Sequence, residues 1–144
     1  MIQILRLASL VSVVLALVPA GAHLFALVNK MRLGKAEYLA AQRAYDGWSL
    51  FGIVIAAALL STLALTFALY RRGEACLLSL LAFLCIVATQ VVFWAYTFPA
   101  NRATANWTEL PDNWETLRAT WEYSHAASAL LTFLAFLLLI VRTG

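Results

Sequence analysis

The residues best suited to chemistry in this chain form an ordered row: Trp114, Arg118, Trp121, His125 and Ser128, spaced 4, 3, 4 and 3 apart. On an α-helix that spacing is a single seam. An imidazole on it can take or return a proton near neutral pH. A guanidinium can hold negative charge, and indoles can stack on a flat molecule. The seam continues through Thr132, Ala135 and Leu139, so it carries two hydroxyls below His125 and turns apolar below Thr132. Ser128 and Thr132 are expected to bond the helix carbonyl four residues back or simply to let helices pack closely. Glu122, three residues before His125, is close enough on a helix to orient it or shift its proton affinity.

Other segments offer complementary groups. Gln90, Trp94, Thr97 and Asn101 follow a 4, 3, 4 stripe, His23 and Asn29 close another apolar run, and Tyr45, Asp46 and Trp48 open a third. Polar side chains in a bilayer are costly unless they face one another. A shared pocket is therefore expected, with His125, Arg118 and Asn101 as its reactive groups. His23, Asn29, Tyr45, Trp48, Gln90, Trp94, Trp114, Trp121 and Glu122 would line it. A di-iron site needs a second Glu-x-x-His and two further Glu, and this chain has one such motif. A mononuclear ion on His23, His125 and Glu122 or Asp46 is the alternative, but the expectation is no metal and no cofactor. There is no glycine-rich phosphate loop, and nothing points to nucleic acid.

These groups must be held by helices that cross a membrane. The chain has 144 residues, 64% hydrophobic, with a mean hydropathy of +0.86, against about 45–50% apolar in soluble domains. Four runs suffice for a hydrocarbon layer of about 30 Å: Ile4 to Asn29, Trp48 to Tyr70, Ala75 to Phe98, and Tyr123 to Val141. The expected fold is all-α: one four-helix transmembrane bundle over residues 1–144, with helices two and four extended beyond the bilayer on one side. Arg6, an apolar stretch and Ala20-Gly21-Ala22 resemble a secretory signal, but the run continues through Leu24 to Val28 and is read as a retained span.

Tyr38, Gln42, Tyr45 and Ser49 recur at helical spacing, so Lys35 to Gly47 is predicted helical. Pro111-Asp112 with Glu115 predicts a capped start for a helix from about Asn113 to Arg142. The segment Pro99 to Leu110 lacks apolar periodicity and is predicted as a structured loop over the bundle end. Cys76 and Cys85, nine residues apart on one helix, point to opposite faces and cannot bridge each other within it.

All five Trp, both His and all four Asn gather at one end of these spans. Lipid anchoring alone puts aromatics at both interfaces. The lopsided distribution therefore argues for a site.

The run Phe98-Pro99-Ala100-Asn101-Arg102, then Asn106-Trp107, then Trp114 through His125, resembles the C-terminal signature of the anthrone-oxygenase-like family of small four-helix membrane proteins. The common pattern is an Asn after the third helix, then Trp-x-x-x-Arg-x-x-Trp and a polar residue four positions on. Gly21-Ala22-His23-Leu24 and Asn29-Lys30 resemble bacterial members, so the resemblance spans nearly the whole chain. It implies oxidation of anthrones to anthraquinones, the chemistry linked to some fungal members, with neither metal nor flavin. On that resemblance His125 is the base, Arg118 or Asn101 steadies the enolate oxygen, and Trp94, Trp114 and Trp121 stack on the substrate.

Two functions compete, ahead of a carrier or channel, which four short helices and a seam apolar below Thr132 disfavour. One is an oxidoreductase or oxygenase acting on a flat hydrophobic aromatic molecule. The other is a non-catalytic accessory or assembly subunit that docks a membrane-protein partner through exposed Trp107 and Trp114, since Trp and Arg are favoured at interface hot spots. The expected location is a bacterial inner membrane, crossed several times. Arg6, Arg71, Arg72 and Arg142 face only Glu74 at the aromatic-poor end, whereas basic and acidic residues balance at the other. Arg71 and Arg72 abut two spans, which favours a cytoplasmic location for that end and both termini. A phosphatase reporter joined after Gly144 should therefore be inactive in cells, and full activity would reverse the orientation.

Overall fold

The computed structural model describes residues 1–141; Arg142, expected to end the fourth helix, lies outside them. Six α-helices form among the described residues: α1 (Ile2–Lys30), α2 (Lys35–Gln42), α3 (Phe51–Arg71), α4 (Leu77–Val92), α5 (Phe98–Ala103) and α6 (Trp114–Ile140). No strand occurs among the described residues. A 3₁₀ turn at Trp48–Leu50 leads into α3, and a π turn at Phe93–Thr97 joins α4 to α5 without a break. Four helices are thus long and apolar enough to span a membrane: Ile2–Lys30, Trp48–Arg71, Leu77–Ala103 and Trp114–Ile140. The chain is an integral, multi-pass membrane protein.

The four spans form a ring in which α1 lies between α3 and α6, and α4 closes it against both. Hydrocarbon tails are as apolar as leucine, so close packing and hydrogen bonds hold such helices together. Val13, Ala58, Ala82, Ile86 and Ala135 fill the centre with no accessible surface, whereas Phe67, Leu60 and Leu130 face outward. Small side chains let the backbones approach. The Ser12 and Ser61 hydroxyls meet at 3.1 Å between α1 and α3, and Thr97 meets Ser124 at 2.7 Å between the π turn and α6. Thr132 donates to the Ser128 carbonyl at 2.7 Å, the back-bond expected of it. At 27 residues, α6 is about 40 Å long, so its first turns stand above the layer.

Three details differ from the sequence reading. The amphipathic segment before the second span is helical but is not a straight extension of it. A turn at Asp46-Gly47, with Gly47 at φ +82°, separates 3₁₀ turns at Arg43–Tyr45 and Trp48–Leu50 and folds α2 back over the bundle end. Second, the third span runs through Pro99 to Ala103. Proline at the second position of α5 sits where a helix start leaves its N–H unneeded, directly after the π turn. The cap is therefore shorter, covering residues 104–113. Third, α6 begins at Trp114 after an Asn113 that makes no side-chain cap, and Trp114 N–H instead donates to the Pro111 carbonyl at 3.0 Å.

Ala105, Asn106 and Trp107 all lie in the left-handed region, at φ 46°, 55° and 62°. Each such non-glycine residue costs about 1–2 kcal/mol. Thr104 holds this turn: its buried hydroxyl accepts the Trp107 N–H at 3.1 Å and donates to the Ala100 carbonyl at 2.8 Å.

Glycine is required at 47 by backbone conformation and not by space, because an added β-carbon meets no atom within 4 Å. Gly47→Ala should lower stability by about 1–2 kcal/mol in mixed-micelle unfolding. Gly52→Ala, in a helix with equally open surroundings, should be neutral or stabilising.

Candidate functional site

α1, α2 and α6 converge on a buried ion pair. Lys30 Nζ lies 2.5 Å from Glu122 Oε1, with the residues 4% and 1% exposed. The same oxygen accepts from the Tyr38 hydroxyl at 2.9 Å, and Gln42 Nε2 donates to that hydroxyl at 2.5 Å. Burial raises the affinity of the Tyr38 phenol for its proton, and the Glu122 carboxylate raises it further. Tyr45 shifts the same way for the same two causes. Both phenols are therefore donors at neutral pH. The ammonium also lies 4.5 Å from the centre of the Tyr45 ring and 4.6 Å from that of Trp121, within cation–π range.

Beneath this pair the helices border a half-open cavity of about 730 Å³ with mostly apolar walls, within the usual 300–1,000 Å³ range of small-molecule sites. It brings together His23, Tyr45, Trp48, Gln90, Trp94, Asn101, Trp121 and His125. The two imidazoles stack at 4.2 Å between centres and 26° between planes. Trp121 meets His125 edge-on at 4.2 Å and His23 at 5.0 Å, while Tyr45 covers His23 at 4.3 Å. His23 is 6% exposed, and its Nδ1 has no hydrogen-bond partner. Asn101 Oδ1 accepts both the Trp121 and the Trp107 indole N–H, at 2.7 and 3.1 Å. That occupies its oxygen and leaves its NH₂ free to donate.

Four expected site residues lie off this wall. Glu122 makes no hydrogen bond with His125: Lys30 and Tyr38 both engage its Oε1, and its Oε2 is buried without a partner. Arg118 donates to the Leu33 carbonyl at 2.7 Å, and its guanidinium stacks 4.6 Å over Trp114. It tethers the α1–α2 connection and does not reach the cavity. Trp114 is half-buried in this upper cluster, and Asn29 is exposed. The seam on α6 therefore divides: Trp114 and Arg118 support the cap, whereas Trp121, His125, Ser128 and Thr132 face the cavity. Among the described residues, no three of His, Cys, Asp and Glu are grouped to hold a metal ion.

Lys30, Tyr38, Gln42 and Trp107 carry the site's architecture but were not among the expected residues. A lysine ending an apolar run reads as a snorkelling surface charge. The available signal was the balance of basic and acidic residues at this end, which favours pairing. Trp107, which only the docking alternative required to be exposed, is 6% exposed and packs edge-on against Tyr38 and Trp121.

No protein-family model, curated protein or solved structure matches the chain.

Removing one partner of a buried pair strands the other charge, at about 3–5 kcal/mol. Glu122→Gln should destabilise the bundle on that scale, and adding Lys30→Met should restore most of the loss. A double-mutant cycle by unfolding in mixed micelles measures both.

Proposed function

We propose that this protein binds a flat, apolar aromatic molecule in the cavity and oxidises it without a cofactor, as a membrane-embedded oxidoreductase or oxygenase of a bacterial inner membrane. The observation that carries the reading is the stacked pair His23 and His125, set in an aromatic wall with room for a ligand. The resemblance of the Asn101 and Trp114-to-His125 pattern to the anthrone-oxygenase-like family supports the same chemistry.

The reaction uses groups on the wall. His125 takes the proton from the acidic carbon between two aromatic rings. The Asn101 NH₂ donates to the ketone oxygen as it becomes an enolate. The carbanion gives its electron pair to dioxygen, a C–O bond forms, and the proton returns to the peroxide. Loss of water then leaves a second carbonyl. Arg118, held on Leu33, takes no part in this scheme and acts on the cap. Trp48, Trp94 and Trp121 are the stacking surfaces.

Burial of Trp107 argues against the docking alternative, which needed it in an exposed apolar patch with Trp114.

Oxygen uptake by purified protein in nanodiscs, with anthrone as probe, tests the reading. His125→Ala should lower kcat by about 10²–10⁴-fold, the contribution of a positioned base, with KM changed far less. Uptake no faster than empty nanodiscs, or an unaltered kcat in the variant, would overturn it.

A further inference from the structure

The cavity has two kinds of rim. Asp46, Ser49 and Asn106 are exposed where the chain leaves the bundle. Phe51, Gly52, Trp94 and Phe98 are exposed on the flank, between the start of α3 and the end of the third span. Among neighbouring spans, α3 and α4 pack least extensively on one another. They are joined at the far end by the Arg72–Cys76 turn and meet through Ala58, Ala82 and Ile86. Above that contact, cavity-lining residues take over on both helices: Ile55 and Gly52 on one, Thr89 and Gln90 on the other.

Measured along the helices, the flank rim reaches the outer edge of the hydrocarbon layer, with Trp94 just inside it. From the joining turn, Phe51 is about 30 Å up α3 and Trp94 about 25 Å up α4 at 1.5 Å per residue. A bilayer core is about 30 Å deep. At this level α3 carries glycine, and a β-carbon on Gly52 meets nothing within 4 Å. Trp94 and Phe98, 61% and 40% exposed, stand beside the gap.

We infer that the ligand is an amphiphile drawn from the bilayer: a flat carbonyl-bearing ring seated against His23 and His125, with an apolar tail leaving between α3 and α4 past Gly52. This rests on reading the cavity as a ligand site. His23 Nδ1, buried without a partner on the wall, supplies the polar contact for the ring. The gap accommodates the tail, and the leaflet supplies the ligand at its membrane concentration.

Photolabelling in proteoliposomes tests this with benzophenone and 4-dodecylbenzophenone, whose ketone ring is itself the photophore. In the unaltered protein both should label cavity residues, read by peptide mass spectrometry. Gly52→Trp should reduce cavity labelling by the dodecyl probe about tenfold, a loss of about 1.4 kcal/mol, and leave benzophenone labelling little changed. Leu60→Trp, on the outward face of the same helix, should change neither. Phe51→Ala, which widens the gap, should raise labelling by the dodecyl probe and serves equally if Gly52→Trp does not fold. Equal labelling by the dodecyl probe in Gly52→Trp and unaltered protein, or no rise with Phe51→Ala, would overturn the tail route and leave the cavity reading intact. No cavity labelling by either probe in the unaltered protein would remove both.

Discussion

Lys30 and Glu122 bring an ammonium and a carboxylate together at the ends of helices that otherwise offer mostly hydrocarbon, and neither charge tolerates burial without the other. Their contact ties the end of α1 to the first turns of α6, and Tyr38 adds α2 to the same oxygen. Satisfying the ammonium takes more than one carboxylate oxygen. The faces of Tyr45 and Trp121 lie near it and contribute negative ring potential. Those two rings also border His23. One electrostatic demand therefore sets the position of the aromatic wall, and the cavity lies on the wall's other side.

The Asn101 oxygen has a comparable role at shorter range. A single acceptor collects two indole N–H groups, one from the cap and one from α6. Without it, both indoles would carry unpaired donors into a poorly hydrated region, where each costs about 1–3 kcal/mol. The π turn before it seats Thr97 against Ser124 and carries the helix past Pro99 to Asn101. The irregular part of the third span thus coincides with the part that meets the site, as is common for π turns.

The spans were legible because about twenty apolar residues in a row have few alternatives to a membrane helix. The aromatic end was legible because all five Trp and both His fall there. Convergence of His23, Gln90, Trp94, Asn101, Trp121 and His125 on one cavity followed from the cost of polar groups in lipid. What stayed hidden was the choice among partners. Helical spacing put Glu122 beside His125, but spacing ranks only neighbours on the same helix. A lysine on α1 offers the carboxylate a full opposite charge, which an imidazole one turn away does not. Gly47 and Pro99 were ambiguous for a related reason. Each marks a possible break, and only the surrounding packing decides that the chain turns at the first and continues through the second.

The left-handed turn of Ala105, Asn106 and Trp107 shows where strain is accepted to shape the cavity. Three non-glycine residues at positive φ persist only where other contacts over-determine them. Here the Thr104 hydroxyl, the Asn101 side chain and the Tyr38 ring supply those contacts, and their combined effect is to seat Trp107 inward over Trp121. On the flank there is the opposite arrangement: glycine in place of a side chain, at a level where two helices lie loosely together. A rim braced by strained backbone on one side and one carrying the smallest residue on the other give the two openings near His23 and His125 different walls.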